Sequence, residues 1–271
     1  MKIFVISKWR FLIFSALFIC SLGIFIFGSN NSLSVMNENV EEKLLPIYCV
    51  DRGEEKLCSI TFDAAWDDSD TDMLINILNK YNVKATFFIV GSWIEKYPES
   101  VKKFAENGHE IMNHSDTHPH INALTSDKIK AEITKCADKI EAVCGKRSNL
   151  FRGPYGEYNN TVIEAAESVG HKTIQWDVDS LDWKDLATED IVNRVVKRVK
   201  PGSIVLFHNG AKNTPEALPK ILEKLITDGY NFVPAGELIY YENYTIDHQG
   251  KQIPANNIPA PSDETNLGEA S

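Results

Sequence analysis

Between residues 57 and 233 the chain repeats one pattern: a short apolar or β-branched run, then a longer stretch of helical periodicity. Runs at 57–63, 84–90, 109–113, 149–152, 172–177, 203–208 and 230–233 read as strands. Stretches at 71–81, 92–106, 126–143, 160–169, 188–199 and 214–228 read as amphipathic helices. Gly170 and Gly229 are good stops for two of them, and Thr125-Ser-Asp-Lys is a capping-type start for a third. Strands alternating with helices of this length imply a parallel sheet covered by helices, because a parallel crossover needs a helix-length connection. Seven such strands suit a barrel better than a small open sheet. The expected fold is therefore α/β, a distorted (β/α) barrel with about seven β/α units.

In parallel barrels chemistry collects at the C-terminal strand ends. Asp63, Arg152, Asp177 with Asp179, and His208 all lie at or just past such ends, and His114-Ser-Asp-Thr-His118 follows another. Two imidazoles four residues apart can grip one divalent ion if the chain bends back between them, and Pro119 disfavours helix at His118. The same pair also suits two ordinary loop histidines. Each of the others has a plain alternative too. Asp63 fits a cap, Arg152 a structural ion pair, Asp182-Trp183 a turn with a packed aromatic, and His208 a core histidine. Taken together they supply the parts of a metal hydrolase. Two histidines hold a metal that polarises a carbonyl, a carboxylate takes a proton from water, another histidine protonates the leaving group, and a further acid orients it. His109-Glu110 followed by His114 is not the H-E-x-x-H arrangement, being one residue too long and on a strand.

The net charge of −10 argues against a nucleic-acid partner, and nothing in the sequence points to an obligate protein partner. Lys2, Lys8 and Arg10 precede an apolar stretch, residues 11–28. At 1.5 Å per residue it covers about 27 Å, close to a bilayer core. Positive charge before the stretch places the N-terminus inside and the rest outside. With no A-x-A site, residues 1–28 read as an uncleaved single-pass anchor in the cell membrane more readily than as a cleaved signal that would leave a secreted protein. Residues 29–45 read as a tether, 46–245 as the folded domain, and 246–271, with three prolines, as a disordered tail. Cys20 reads as a membrane-embedded thiol. Cys49 and Cys58 flank a turn-like segment and would face each other across a hairpin. Cys136 and Cys144 can pair only if a helix ends between them.

Five ordered motifs then carry a resemblance: Thr61-Phe-Asp63, His114-Ser-Asp-Thr-His118, Arg152-Gly-Pro-Tyr155, Asp179-Ser-Leu-Asp-Trp183 and Leu206-Phe-His208. From about Cys58 to Tyr240 the chain resembles the polysaccharide deacetylases of carbohydrate esterase family four (the NodB homology domain), especially their membrane-anchored, sporulation-type branch. The resemblance implies a distorted barrel and removal of N-acetyl groups, with release of acetate, from an N-acetylglucosamine polysaccharide, peptidoglycan or chitin-like. It implies Asp63 as general base, Arg152 holding it ionised, and His208 as general acid tuned by Asp182. It implies His114 and His118 on one divalent metal, usually zinc, the Tyr155 N–H on the oxyanion, and Trp183 and Leu206 walling the acetyl pocket. One departure stands out: the family's first motif carries a second aspartate, a metal ligand, where this chain has Ala64. Asp67 or Asp68 in the following loop is the candidate substitute, against the reading of a solvated acidic loop. The departure keeps open a catalytically weak carbohydrate-binding protein that retains the fold; a deacetylase of a muramic-acid residue or other small amide is a further reading, because groove loops rather than motifs set the sugar.

Overall fold

The computed structural model describes residues 42–255. The expected anchor, most of the tether and residues 256–271 lie outside the described residues. Seven strands form one parallel sheet: β2 (Leu57–Ala64), β3 (Thr86–Ile89), β4 (Glu110–Asn113), β5 (Leu150–Phe151), β6 (Lys172–Thr173), β7 (Val178–Asp179) and β8 (Ile204–His208). Their order is β6-β5-β4-β3-β2-β8-β7, with the short β9 (Asn231–Phe232) pairing alongside the start of β2. The two ends of that order are one continuous piece of chain. The expected strand 172–177 pairs with β5 at its start, leaves the ladder at Ile174–Asp177, and resumes against β8 at Val178. Ile47 fills the gap, bridging to Ile174. The sheet thus curls round on itself as a distorted barrel.

Strand alternation sorts the side chains. Ile60, Phe62 and Ala64 on β2, Phe87 and Ile89 on β3 and Val205 and Phe207 on β8 face outward into the main core beneath the helices. Phe88, Met112, Leu150, Ile174 and Ile204 form a second apolar cluster with Ile47 and Leu238. Thr61 and Asp63, of opposite parity to Phe62 and Ala64, share the other face of β2.

Several expectations change. The helix expected over 92–106 is two, Gly91–Lys96 and Pro98–Glu106, because Pro98 lacks an N–H and disfavours helical backbone at Tyr97, found at φ −132°, ψ 54°. Thr125 is the N-cap of Ser126–Cys144, but its side chain makes no capping hydrogen bond. Part of the expected disordered tail is ordered: β10 (Tyr244–Ile246) and β11 (Lys251–Pro254) form a hairpin, and β11 pairs with β1 (Cys49–Val50). Gln252 explains the order, since its buried amide exchanges hydrogen bonds with the Tyr240 backbone at 2.7 and 2.6 Å. The cysteine pairings do not form. Cys49 pairs with Lys251 across the sheet rather than facing Cys58 in a hairpin, and the helix carrying Cys136 and Cys144 runs unbroken between them. All four are free thiols. No helix among the described residues is long and apolar enough to cross a membrane.

Candidate active site

Asp63 ends the functional face of β2, and the sheet register pairs it directly with His208, the last residue of β8. Two strands therefore deliver a carboxylate and an imidazole side by side. Arg152, just past β5, is fully buried. Its Nη1 donates to Asp63 Oδ1 at 2.8 Å and to Thr61 Oγ1 at 3.0 Å, and its Nη2 donates to the Gln175 carbonyl at 3.0 Å. The guanidinium lies 4.0 Å from the centre of the Phe88 ring, a face suited to a desolvated cation. Burial works to raise the Asp63 pKa, but the charges of Arg152, His114 and His208 and the hydrogen bond from Arg152 outweigh it, so the carboxyl is held below its ordinary value.

His208 faces a completed network. Asp182, fully buried in the turn Asp182–Lys184, accepts from His208 Nδ1 at 2.8 Å through Oδ1. Its Oδ2 accepts the His208 backbone N–H at 2.8 Å and the Thr214 hydroxyl at 2.7 Å. Trp183 N–H closes the set at 2.9 Å on Oδ1. Because a carboxylate only accepts, the Nδ1 proton is fixed and Nε2 is the nitrogen left for chemistry. Burial lowers the His208 pKa, yet the hydrogen bond and charge of Asp182, with Asp63 and Asp179 beyond, raise it overall.

The His114–His118 segment bends back as the pairing required. Ser115 and His118 both take left-handed backbone, at φ 67° and 58°. Glu132 on the helix behind receives the N–H groups of Asp116 and Thr117 at 3.0 and 2.8 Å and the Thr117 hydroxyl at 2.9 Å. The two imidazole rings come to 5.0 Å. His114 Nδ1 must donate to the Arg152 carbonyl at 2.8 Å, so its Nε2 carries a lone pair, 3.6 Å from Asp63 Oδ2. Two acceptors facing each other at that distance are the donor chemistry of a cation site. Burial is the main cause keeping both imidazoles neutral, His118 down to about 4, which is the form a metal takes. The site is one acid short, however. Ala64 is buried in the apolar core, and among the described residues no group of three or more His, Cys, Asp or Glu side chains is placed to hold a metal. Asp67 is turned onto Ser69 at 2.9 Å, and Asp68 accepts from Ser100 at 2.8 Å, so neither expected substitute is presented to the histidines. The residues fit a divalent ion held by the two imidazoles, without a third protein ligand.

A family model for polysaccharide deacetylases matches residues 51–174. A peptidoglycan-N-acetylglucosamine deacetylase of Bacillus cereus is 37% identical over 194 residues, covering 70% of this chain and 91% of that protein. The chain belongs to the polysaccharide deacetylase family. The family extends to a peptidoglycan-N-acetylmuramic acid deacetylase of Bacillus subtilis, 29% identical over 69% of this chain and 73% of that one. Among solved structures, a CE4-family pseudoenzyme from Bacillus anthracis superposes with a TM-score of 0.69 at 34% identity, covering 71% of this chain and 68% of that one. A mutant of it, described as having restored enzymatic activity, superposes equally well.

Of the remaining expected residues, Leu206, Trp183 and Tyr155 sit around this centre. Leu206 is buried on the same face of β8 as His208, and Trp183 is half exposed beside Asp182. Tyr155 takes left-handed backbone at φ 59°, with its ring 4.6 Å from His118 and stacked on His120 at 4.5 Å. Asp179 instead caps the turn, accepting Leu181 N–H at 2.8 Å, and Asp177 lies at the other end of β8, bonded to Ser203 and Ile204. Sequence reasoning missed Thr214, Glu132 and Gln175, whose partners are distant in the chain. It also missed Trp66, whose ring stacks on His208 with centres 5.6 Å apart and planes at 14°.

Proposed function

We propose that the protein is a peptidoglycan deacetylase that hydrolyses the N-acetyl amide of N-acetylglucosamine residues, releasing acetate and leaving a free amine. The observation that carries this reading is the register of Asp63 opposite His208, each locked in its working state by its own buried partner. Asp63, ionised beside Arg152, accepts the proton of the attacking water as its oxygen bonds to the acetyl carbon. The Tyr155 N–H faces the developing oxyanion, and Trp183 and Leu206 enclose the methyl. His208 Nε2 then protonates the departing nitrogen as the C–N bond breaks, and Asp182 stabilises the imidazolium beforehand. A divalent ion, zinc in this reading, would be held by His114 and His118. It supplies Lewis-acid polarisation of the carbonyl when bound.

The charge layout at Lys2, Lys8 and Arg10 before the apolar residues 11–28 supports a single-pass anchor with the domain on the extracytoplasmic side. That location and the five motifs support placement in the membrane-anchored, sporulation-type branch, with cell-wall polymer as the substrate within reach. Acetate release from N-acetylglucosamine oligomers and purified peptidoglycan, with and without zinc, tests the activity, with Asp63→Asn as the inactive control. Acetate from muramic-acid residues alone would move the substrate to the other sugar.

A second reading has an observation of its own. Ala64 removes an acidic ligand, and a pseudoenzyme shares the fold at a TM-score of 0.69. In that reading the domain binds glycan without cleaving it. Oligomer binding with no acetate release at any zinc concentration would select it.

A further inference from the structure

Trp66 is nearly half exposed, 47%, although its indole is already stacked on His208. Its position on the His208 ring, rather than its exposure alone, is what sets it apart from a solitary surface aromatic. Its seat is a built one. Gly210, at φ 71°, has no Cβ, and one added there would lie 3.5 Å from Trp66 Cβ. The Gly210 N–H donates to Asp70 Oδ2 at 2.7 Å, the Asn209 side-chain amide donates to the Asp67 carbonyl, and the Asn209 N–H reaches the Asp63 carbonyl at 3.3 Å. Asp70 and Asn209 are both buried, and Ser69 and Thr71 complete the turn with bonds to Asp67 and Asp68. The loop carrying Trp66 is therefore fastened to the two residues that follow His208. That anchorage fixes the backbone from which the indole projects, and the stack on His208 sets the ring.

We infer that Trp66 is a substrate-contacting specificity residue, a fixed aromatic platform for a pyranose ring next to the acetamide handled at His208. The axial C–H groups of a β-linked pyranose form an apolar face that matches a flat, exposed indole, and the polar rim around Trp66 leaves the sugar hydroxyls solvated. The indole covers a face of the His208 ring while Asp182 bonds its edge at Nδ1, so the platform serves a sugar beside the acetyl pocket of Trp183 and Leu206. This rests on the glycan reading above, and holds whether or not the domain turns over.

The test measures binding of N-acetylglucosamine and its tetramer to the full-length protein by calorimetry, beside acetate release from the tetramer. Trp66→Ala is expected to weaken tetramer binding by about tenfold while changing monomer binding by less than about twofold, and Trp66→Phe to restore most of the loss. Tyr241→Ala, an exposed aromatic not assigned to the site, is expected to change neither. Tetramer binding or KM unchanged in Trp66→Ala would overturn the platform while leaving the deacetylase reading intact. So would equal losses for monomer and tetramer, which would mark a disturbed His208 instead. A parent protein that neither binds nor deacetylates the tetramer would overturn both.

Discussion

The two halves of the site are finished to different degrees. On the acid–base side every charge has its counterpart. Arg152 holds Asp63, and Asp182 meets His208 and three further donors. On the histidine side the loop is equally well fixed by Glu132, yet position 64, where the family's first motif places an acid, is an alanine buried in the apolar core and offers the two imidazoles no carboxylate. A buried polar network is costly to leave half-satisfied, so the pairing of both charges in the first half holds Asp63 and His208 in place. The incompleteness of the second locates any loss of activity in affinity for the metal rather than in proton transfer.

The largest effect should come from breaking the complete half. Arg152→Ala leaves Asp63 buried without its counter-ion and should cost about 3–5 kcal/mol of unfolding free energy at neutral pH, read from denaturant melts. The sign with pH follows from the lowered Asp63 pKa. The stability that Arg152 gives Asp63 is present above the ordinary carboxylate pKa and is lost as pH falls through the depressed folded value. The gap between variant and parent should therefore narrow in acid. A gap independent of pH would mean the pair contributes packing alone.

Next in size, Asp182→Asn should lower acetate release by about a hundredfold, the scale of a general-acid contribution. Asp182 is what keeps the His208 pKa above its ordinary value against burial. Without that charge the imidazolium loses its proton at lower pH, and the alkaline limb of the pH–rate profile should move down. An unmoved limb with an unchanged rate would separate Asp182 from the acid.

How far the sequence foretold these halves depends on chain distance. The parallel barrel was legible because its signals are local: strand and helix periods, Gly170 and Gly229 as stops, acids and histidines at strand ends. The motif residues were legible for the same reason, each standing at a strand end or in the loop that follows it. Trp66 over His208 was not, since two loops more than a hundred residues apart meet there. Nor was the ordered hairpin at 244–254, because prolines and sparse apolar residues gave no hint that Gln252 would find the Tyr240 backbone. The break between Thr173 and Val178 was hidden because Ile47, from far upstream, takes the place beside Ile174. Asp67 and Asp68 looked available in sequence; a hydroxyl each, from Ser69 and Ser100, takes them up in the fold.

Ala64→Asp sharpens the unfinished half. An acid placed in the apolar cluster around Ala64 should lower the melting temperature of the metal-free protein, at a cost of about 1–3 kcal/mol. It should also tighten zinc binding by about tenfold, by supplying a third protein ligand beside His114 and His118. Zinc should then recover the lost melting temperature. If affinity is unchanged while stability falls, the side chain at 64 does not reach the metal, and the two-histidine site is all that the chain offers.

The smallest effect tests whether the histidine loop is held as rigidly as the acid–base side. Glu132 is the single carboxylate that takes two backbone N–H groups and a hydroxyl from the segment between His114 and His118. The segment itself stores left-handed backbone at Ser115 and His118, conformations that persist only where the surroundings impose them. Glu132→Ala should release that constraint and weaken zinc affinity by about three- to tenfold, at the low end of what outer hydrogen-bond partners of metal ligands contribute. Glu132→Gln keeps one carbonyl oxygen for the N–H groups and an amide that can donate to the Thr117 hydroxyl, so most of the affinity should return. The same pair of variants should leave the alkaline limb set by His208 in place, because no bond of Glu132 reaches Asp182 or Asp63. Zinc titrations of the two variants beside their pH–rate profiles read both sides at once. A shifted limb would mean that the halves are coupled through the barrel, and that the missing acid at Ala64 bears on proton transfer as well.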